Sequence, residues 1–348
     1  MNNYHEHLIY LECNIQDALV KLNALGKNAI LFVIEKNGKL IGSLTDGDVR
    51  RGLLKGITIE KPIRDILQAN PQFIRKGESD IKKVIKLRES NFRIIPIIDK
   101  DDKILKVINF SDLKSYLPVD AVIMAGGIGQ RLLPLTEKTP KPLLKVGEKP
   151  IIEHNVNRLS EFGIDDFWIS VKYLGEQIEN YFKNGSKWDI NIKYVWENEP
   201  LGTVGAISKI ENFEHDYILI SNSDILTNLD YEHFFLDFIN QEADMAVVTI
   251  PYQVNIPYAV LETNNREIKN FKEKPTYTYF SNGGIYMVKK TLLNFIPRDK
   301  KFDATDFMEL LIEKKYKVIS YPLSGYWLDI GNHEDFIKAQ IDIKQIKF

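Results

Sequence analysis

The apolar stretch Ala121-Val122-Ile123-Met124 runs directly into Ala125-Gly126-Gly127-Ile128-Gly129-Gln130-Arg131. Glycines at such a place let the backbone turn sharply and bring several N–H groups against a polyanion. Arg131 adds a planar fork of donors that suits phosphate oxygens. Further on, Lys141 stands between Pro140 and Pro142, which hold its backbone extended and aim its side chain. A lone lysine is more often a solvated surface residue; the flanking prolines favour a positioned phosphate ligand. A dinucleotide loop would read Gly-x-Gly-x-x-Gly with an acidic residue about twenty positions later, and a P-loop would end in Gly-Lys-Ser/Thr. The order found is Gly-Gly-x-Gly-x-Arg, then Leu132-x-Pro134-Leu135-Thr136 and Pro140-Lys141-Pro142-Leu143-Leu144, which is neither.

Other groups recur at the ends of apolar runs. Ile218-Leu219-Ile220-Ser221-Asn222-Ser223-Asp224 ends in a carboxylate, and Trp327-Leu328-Asp329-Ile330-Gly331 carries another. Ligand sites of open α/β sheets lie beyond the carboxyl ends of their strands. Singly, each Asp reads equally as a cap or turn residue. Glu197-Asn198-Glu199-Pro200-Leu201-Gly202-Thr203-x-Gly205 reads plainly as a strand-to-helix turn, with Gly202 and Gly205 allowing close backbone approach. Phe271-Lys272-Glu273-Lys274-Pro275 has the look of a charged strand edge, and Ser281-Asn282-Gly283-Gly284-Ile285-Tyr286 follows it. Thr305-Asp306-Phe307 carries polar groups to which no role attaches.

The elements that must hold these residues change character near residue 120. From Asp120 onward strands alternate with helices, which predicts a doubly wound, mostly parallel α/β sheet. Before it, two segments repeat one α+β unit. In the first, helix-like Ile15 to Leu25 precedes strand Ala29 to Ile34, a turn at Asn37-Gly38 and strand Leu40 to Leu44; Thr45-Asp46-Gly47-Asp48 opens a further helix. In the second, Asp80 to Glu89 reads as helix, Ile94 to Ile98 and Ile104 to Ile108 as strands, and Asn109-Phe110-Ser111-Asp112 as the opening of a short helix. A repeat of roughly 60 residues with one element order is a duplication. The expected domains are residues 1–118, as a tandem pair divided near 58/59, and 119–348, with Ser115 to Asp120 as the bridge.

Taken in series, the motifs between about residues 120 and 345 closely resemble the sugar-1-phosphate nucleotidyltransferases, a family with a Rossmann-like fold. It includes mannose-, glucose- and glucosamine-1-phosphate guanylyl-, uridylyl- and thymidylyltransferases. The resemblance implies transfer of a nucleotidyl group from an NTP to a sugar 1-phosphate, giving NDP-sugar and pyrophosphate. It implies Ala125, Gly126, Gly127, Gly129, Glu197, Gly202 and Thr203 at the nucleotide, and Arg131, Lys141 and Lys274 at the reacting phosphates. Asp224 and Asp329 match the family's Mg²⁺ ligands, in keeping with the habit of that ion to take one or two carboxylates plus substrate phosphates. Glu273, Asn282 and Gly283 match its sugar contacts. Glu197 falls where thymidylyl enzymes carry a base-contacting Gln. A carboxylate only accepts, which suits the neighbouring donors of guanine and favours GTP. Uridylyl-, thymidylyl- and mannose-1-phosphate guanylyl specificities remain alternatives, as does a non-catalytic regulatory homologue that senses nucleotides.

The repeat at residues 1–118 resembles a CBS domain pair, a family that binds adenine nucleotides between its copies. It rests on Gly42-Ser43-Leu44-Thr45-x-x-Asp48 and Asn109-x-x-Asp112, and implies a regulatory nucleotide at Thr45, Asp48 and Asp112. The plain reading of these three is helix N-terminal caps. Lys106 stands where that family prefers Gly, and Asn109 where it prefers Ser or Thr. Transferases with this fusion resemble enzymes of the glucosamine-1-phosphate guanylyltransferase type that serve surface glycans, so glucosamine 1-phosphate is the expected acceptor. CBS pairs commonly dimerise, so a homo-oligomer is expected.

At 348 residues, two domains are the default. A net charge of -2 gives no reason to expect nucleic acid or a membrane surface as partner. Cys13 is the only cysteine, which excludes an internal disulfide and suits a reducing compartment. Met1 to Tyr10 lacks the apolar core of a signal peptide and no apolar run reaches transmembrane length, so a cytoplasmic location is expected.

Overall fold

The computed structural model describes residues 4–78 and 80–346. A seven-stranded sheet forms its centre, in the order Asn191–Trp196, Asp166–Val171, Val119–Ala125, Tyr217–Asn222, Thr276–Lys289, Met245–Asn255, Val318–Pro322. Neighbours pair in parallel except at Thr276–Lys289, which runs antiparallel to both of its neighbours. In Val119–Ala125 side chains alternate between faces. Ala121 and Ile123 join a core with Val156 and Phe234, while Val122 joins a second core with Ile220, Met245 and Phe307. Both faces are thus covered by helices, which explains why the strand is apolar throughout. The doubly wound, mostly parallel sheet is as expected.

In front lie two smaller sheets. Leu8–Tyr10, Ile30–Ile34, Leu40–Thr45 and Gln68–Ala69 form the first; Ile74–Arg75, Ile94–Ile98 and Ile104–Asn109 form the second. Helices Ile15–Leu25 and Ile81–Glu89 precede the hairpins of the two copies, so the element order repeats. One expectation fails: residues 109–112 open a turn, not a helix. The Asn109 side chain takes the N–H of Ser111, and the Lys114 N–H pairs with the Glu161 carbonyl at 2.7 Å. The chain is drawn onto the larger sheet's helix before a second helical turn can form.

The second copy also shares its core with the larger unit: Ile81, Val84, Ile95 and Ile108 pack with Leu117, Val119 and Phe162. Ser115, Tyr116 and Leu117 are buried, so the bridge is a seam and not an exposed linker. The first copy keeps a separate core around Ile15, Leu31, Leu44 and Val49. Among the described residues no helix is long and apolar enough to cross a membrane.

Candidate active site

Strand order reverses at Val119–Ala125. The next strands, Asp166–Val171 and Asn191–Trp196, lie on one side of it, and Tyr217–Asn222 lies on the other. Such a switch point leaves a crevice beyond the strand ends. A cleft of about 680 Å³ lies there, lined by Gly126, Gly127, Gly129, Arg131, Lys141, Lys172, Glu197, Gly202, Thr203 and Asp224. Ala125 ends the strand and is buried beneath it.

The loop glycines have steric causes. A Cβ on Gly126 would meet Glu197 Oε1 at 2.6 Å. Gly129 has φ +70°, and a Cβ there would meet the Lys141 Cβ at 2.9 Å. The phosphate loop and the 3₁₀ turn Lys141–Leu143, which replaces the extended backbone expected of Lys141, can therefore pack together only because these positions lack side chains. The Thr136 hydroxyl adds a hydrogen bond to the Gly129 carbonyl at 2.9 Å.

Lys141 reaches into the cleft and its ammonium contacts the Asp224 carboxylate. Asp224 follows the strand Tyr217–Asn222, and Ile225–Thr227 pairs with Trp327–Asp329 so that Ile225 stands opposite Asp329. Burial first, and then the neighbouring charge of Asp224, push the Asp329 carboxyl above its usual range; Lys141 and Arg131 oppose the shift. Asp329 Oδ1 is buried with no hydrogen-bond partner among the described residues. A buried carboxylate oxygen without a donor, held beside a second carboxylate, fits the oxygen-donor demand of a divalent cation. Gly331 packs against Arg131: a Cβ there would lie 3.3 Å from a guanidinium nitrogen.

Glu197 is buried against Gly126. One oxygen accepts from the Ser170 hydroxyl, the other from the Leu201 N–H at 3.0 Å. Each carboxylate oxygen retains a second lone pair for a ligand. The Thr203 N–H donates to Asp303 at 2.9 Å, and the Thr203 hydroxyl accepts from the Ala304 N–H at 2.7 Å. Asp303 caps the helix Ala304–Glu313, with Asp306 completing the capping box. The unassigned Thr305-Asp306-Phe307 segment is therefore structural, and Phe307 is core. Lys172, Ser170, Asn222 and Asp303 belong to the site or its support, although no sequence motif singled them out as ligands. The position of Lys172, just beyond an apolar strand, was the available signal.

A smaller cavity of about 210 Å³ adjoins the cleft, lined by Asn222, Asn282, Gly283, Tyr286, Trp327 and Asp329. Asn282 donates to the Tyr286 hydroxyl at 2.9 Å and accepts from the Gly284 N–H. The Trp327 indole donates to the Gly283 carbonyl at 2.9 Å, tying the sugar-side segment to the Asp329 strand.

Glu273 and Lys274 do not line this cavity within one chain. Both are exposed, in the connection between Glu267–Lys272 and Thr276–Lys289 on an arm that leaves the sheet. Of the regulatory candidates, Thr45 and Asp48 bond to each other. Asp48 is buried and fully used within its own chain. It accepts from the Thr45 N–H at 2.8 Å, from the Thr45 hydroxyl, from Arg51 and from Gln68. Burial alone would raise its pKa, but these bonds together lower it. Thr45 and Asp48 thus act as the capping box of helix Asp46–Leu54. Asp112 lies elsewhere, in a cavity of about 180 Å³ with Asn109, Ile94 and His7.

A CBS domain model matches residues 7–55. A D-glycero-alpha-D-manno-heptose 1-phosphate guanylyltransferase of Aneurinibacillus thermoaerophilus is 33% identical over 231 residues, covering 65% of this chain and 99% of that protein. The bifunctional protein GlmU of Methanocaldococcus jannaschii is 33% identical over 228 residues, or 64% of this chain, and the chain spans only 53% of that longer relative. The crystal structure of HddC from Yersinia pseudotuberculosis superposes with a TM-score of 0.50 at 26% identity, covering 64% of this chain and 99% of that one. The Nucleotidyl transferase family model matches residues 120–346, and the chain belongs to that family.

Proposed function

We propose that residues 119–348 transfer a nucleotidyl group from an NTP to a sugar 1-phosphate, and that residues 1–118 form a paired CBS-type unit serving assembly. The observation that carries the reading is the buried, donorless Asp329 Oδ1 beside Asp224, at the strand ends beneath a glycine loop. An oxygen of the sugar phosphate bonds to the α-phosphorus in line, and the bond from that phosphorus to the pyrophosphate oxygen breaks. The nucleophile is already an anion, so no general base is needed, and the chain's work is positioning and charge stabilisation. The loop amides and Arg131 receive the departing pyrophosphate. Lys141 neutralises the triphosphate once the ligand draws it from Asp224. Mg²⁺ would be held by Asp224 and Asp329; when bound it supplies Lewis-acid neutralisation of phosphate charge.

GTP is the favoured donor because Glu197 offers acceptors beside the loop, and the similarity to a heptose 1-phosphate guanylyltransferase supports it. Glucosamine 1-phosphate is the favoured acceptor on the domain combination alone. A matrix of NTPs against sugar 1-phosphates, read by pyrophosphate release with MgCl₂, tests the reading. GTP failing with every sugar while UTP or dTTP works would remove the assignment of Glu197; no release with any pair would remove the reaction.

A further inference from the structure

Between residues 251 and 281 the chain leaves the main sheet as an arm. The outer halves of Met245–Asn255 and Thr276–Lys289 continue their antiparallel ladder beyond the sheet, and the hairpin Val260–Asn264/Glu267–Lys272 follows at the end. Tyr252 stands opposite Tyr279, and Leu261 opposite Phe271. Tyr252, Tyr258, Leu261, Phe271, Tyr279 and Phe280 are each 51–76% exposed. Isolated exposed apolar residues are ordinary, but a cluster on one protruding element marks an interaction surface.

The arm also removes Lys274 from its own cleft. At ~3.3 Å per residue the ladder from Asn282 to Thr276 spans ~20 Å, and Lys274 lies beyond its outer end. Asn282 lines the cavity beside Asp329. No lysine or arginine lines that cavity among the described residues, although a sugar phosphate must be neutralised there. The exposed arm carries Lys269, Lys272 and Lys274. A cavity that lacks cations and an exposed arm that has them are complementary, and one chain cannot join them while the ladder stays straight.

We propose that two copies of the chain exchange arms, each burying the other's aromatic arm surface and receiving Glu273 and Lys274 of the partner subunit at its sugar-phosphate cavity. This rests on the transfer reaction proposed above. Half-burying those six side chains would remove roughly 100 Å² each. Two arms then bury about 1,200 Å², the lower limit of a stable interface. Exchange of one element about a twofold axis is self-complementary and closes at the dimer.

Complementation tests the exchange. Asp224→Ala and Lys274→Ala chains carrying different tags are co-expressed and purified over both tags. Each variant alone is expected to lose at least ~100-fold in pyrophosphate release. The heterodimer pairs one intact cleft with one intact arm, and roughly half of wild-type dimer turnover should return. A heterodimer as inactive as its parents, or no doubly tagged species at all, overturns the exchange and leaves the transfer reaction standing. Full turnover by Lys274→Ala alone also overturns it. Light scattering gives a readout independent of activity: Phe271→Glu with Tyr279→Glu should shift the wild-type dimer toward monomer. A dimer indifferent to both charges overturns the proposal even if no substrate pair is ever found.

Discussion

The backbone N–H of Ile330 donates to the carbonyl oxygen of Asp224 at 3.0 Å. This bond extends the pairing of Ile225–Thr227 with Trp327–Asp329, and it holds together two carboxylates that are distant in sequence. The main chain maintains the juxtaposition, so like-charge repulsion cannot simply swing the strands apart. The energetic consequence falls on protonation, with Asp329 held above its ordinary range by burial and by Asp224.

Asp329→Asn and Asp224→Asn are each expected to reduce pyrophosphate release by ~10²–10³-fold, the usual scale for removing a group that stabilises transition-state charge. In metal-free buffer at neutral pH the opposite sign is expected for stability. A carboxyl with a raised folded pKa destabilises the fold above that pKa and relieves the cost as pH falls through it. Asp329→Asn should therefore melt higher than wild type without metal, and MgCl₂ should raise the melting temperature of wild type only. Equal responses of both proteins to MgCl₂ would remove the carboxylate pair as the cation site.

Glu197→Gln keeps one acceptor for either the Ser170 hydroxyl or the Leu201 N–H, and replaces the other with a donor. A hydrogen bond to a charged group contributes ~1.5–3 kcal/mol, so kcat/KM for GTP should fall about 10–100-fold relative to UTP or dTTP. An unchanged GTP-to-UTP ratio would mean that the base is read elsewhere in the cleft.

The central architecture was legible because its signals are local: an apolar strand, a glycine turn, and carboxylates ending strand-like runs. Those signals placed Gly126, Gly129, Arg131, Lys141, Asp224 and Asp329 around adjoining cavities. Asp303 was not legible, since its bond to Thr203 joins residues far apart in sequence. The place of Lys274 was not legible, because a motif records residue types and not the arm that carries them off the sheet. Asp48 reads two ways in the sequence because a capping box and a diol contact require the same carboxylate at the same helical position.

Asp48→Ala removes the side-chain half of the cap and leaves Arg51 and Gln68 without their shared acceptor. The expected cost is about 1–2 kcal/mol, read as a lower melting temperature. Pyrophosphate release per folded chain should not change, since helix Asp46–Leu54 contributes nothing to the cleft lining. Loss of turnover without loss of stability would instead assign Asp48 a regulatory role.

The seam between the second copy and the main sheet carries the clearest pH signature. Asp120 accepts the His215 N–H at 2.7 Å, while its Oδ1 is buried without a partner among the described residues. Burial raises its pKa to about 6, against the opposing charge of His215. Beside it, Asp166 is held well below the usual range: burial would raise it, but the His215 imidazole at 3.7 Å and the Lys76 ammonium at 2.9 Å outweigh that. Lys106 likewise pairs with Asp165. Asp165, Asp166 and His215 could converge on a cation, but the two lysines already neutralise the carboxylates. Like Asp329, Asp120 binds more protons folded than unfolded as pH rises toward about 6, so its own effect is that stability falls with rising pH. The full span is at most ~3 kcal/mol. Asp120→Asn should flatten that slope and raise the melting temperature at pH 7.5, leaving the value near pH 4 almost unchanged. A slope as steep in the variant as in wild type would assign the titration to another group.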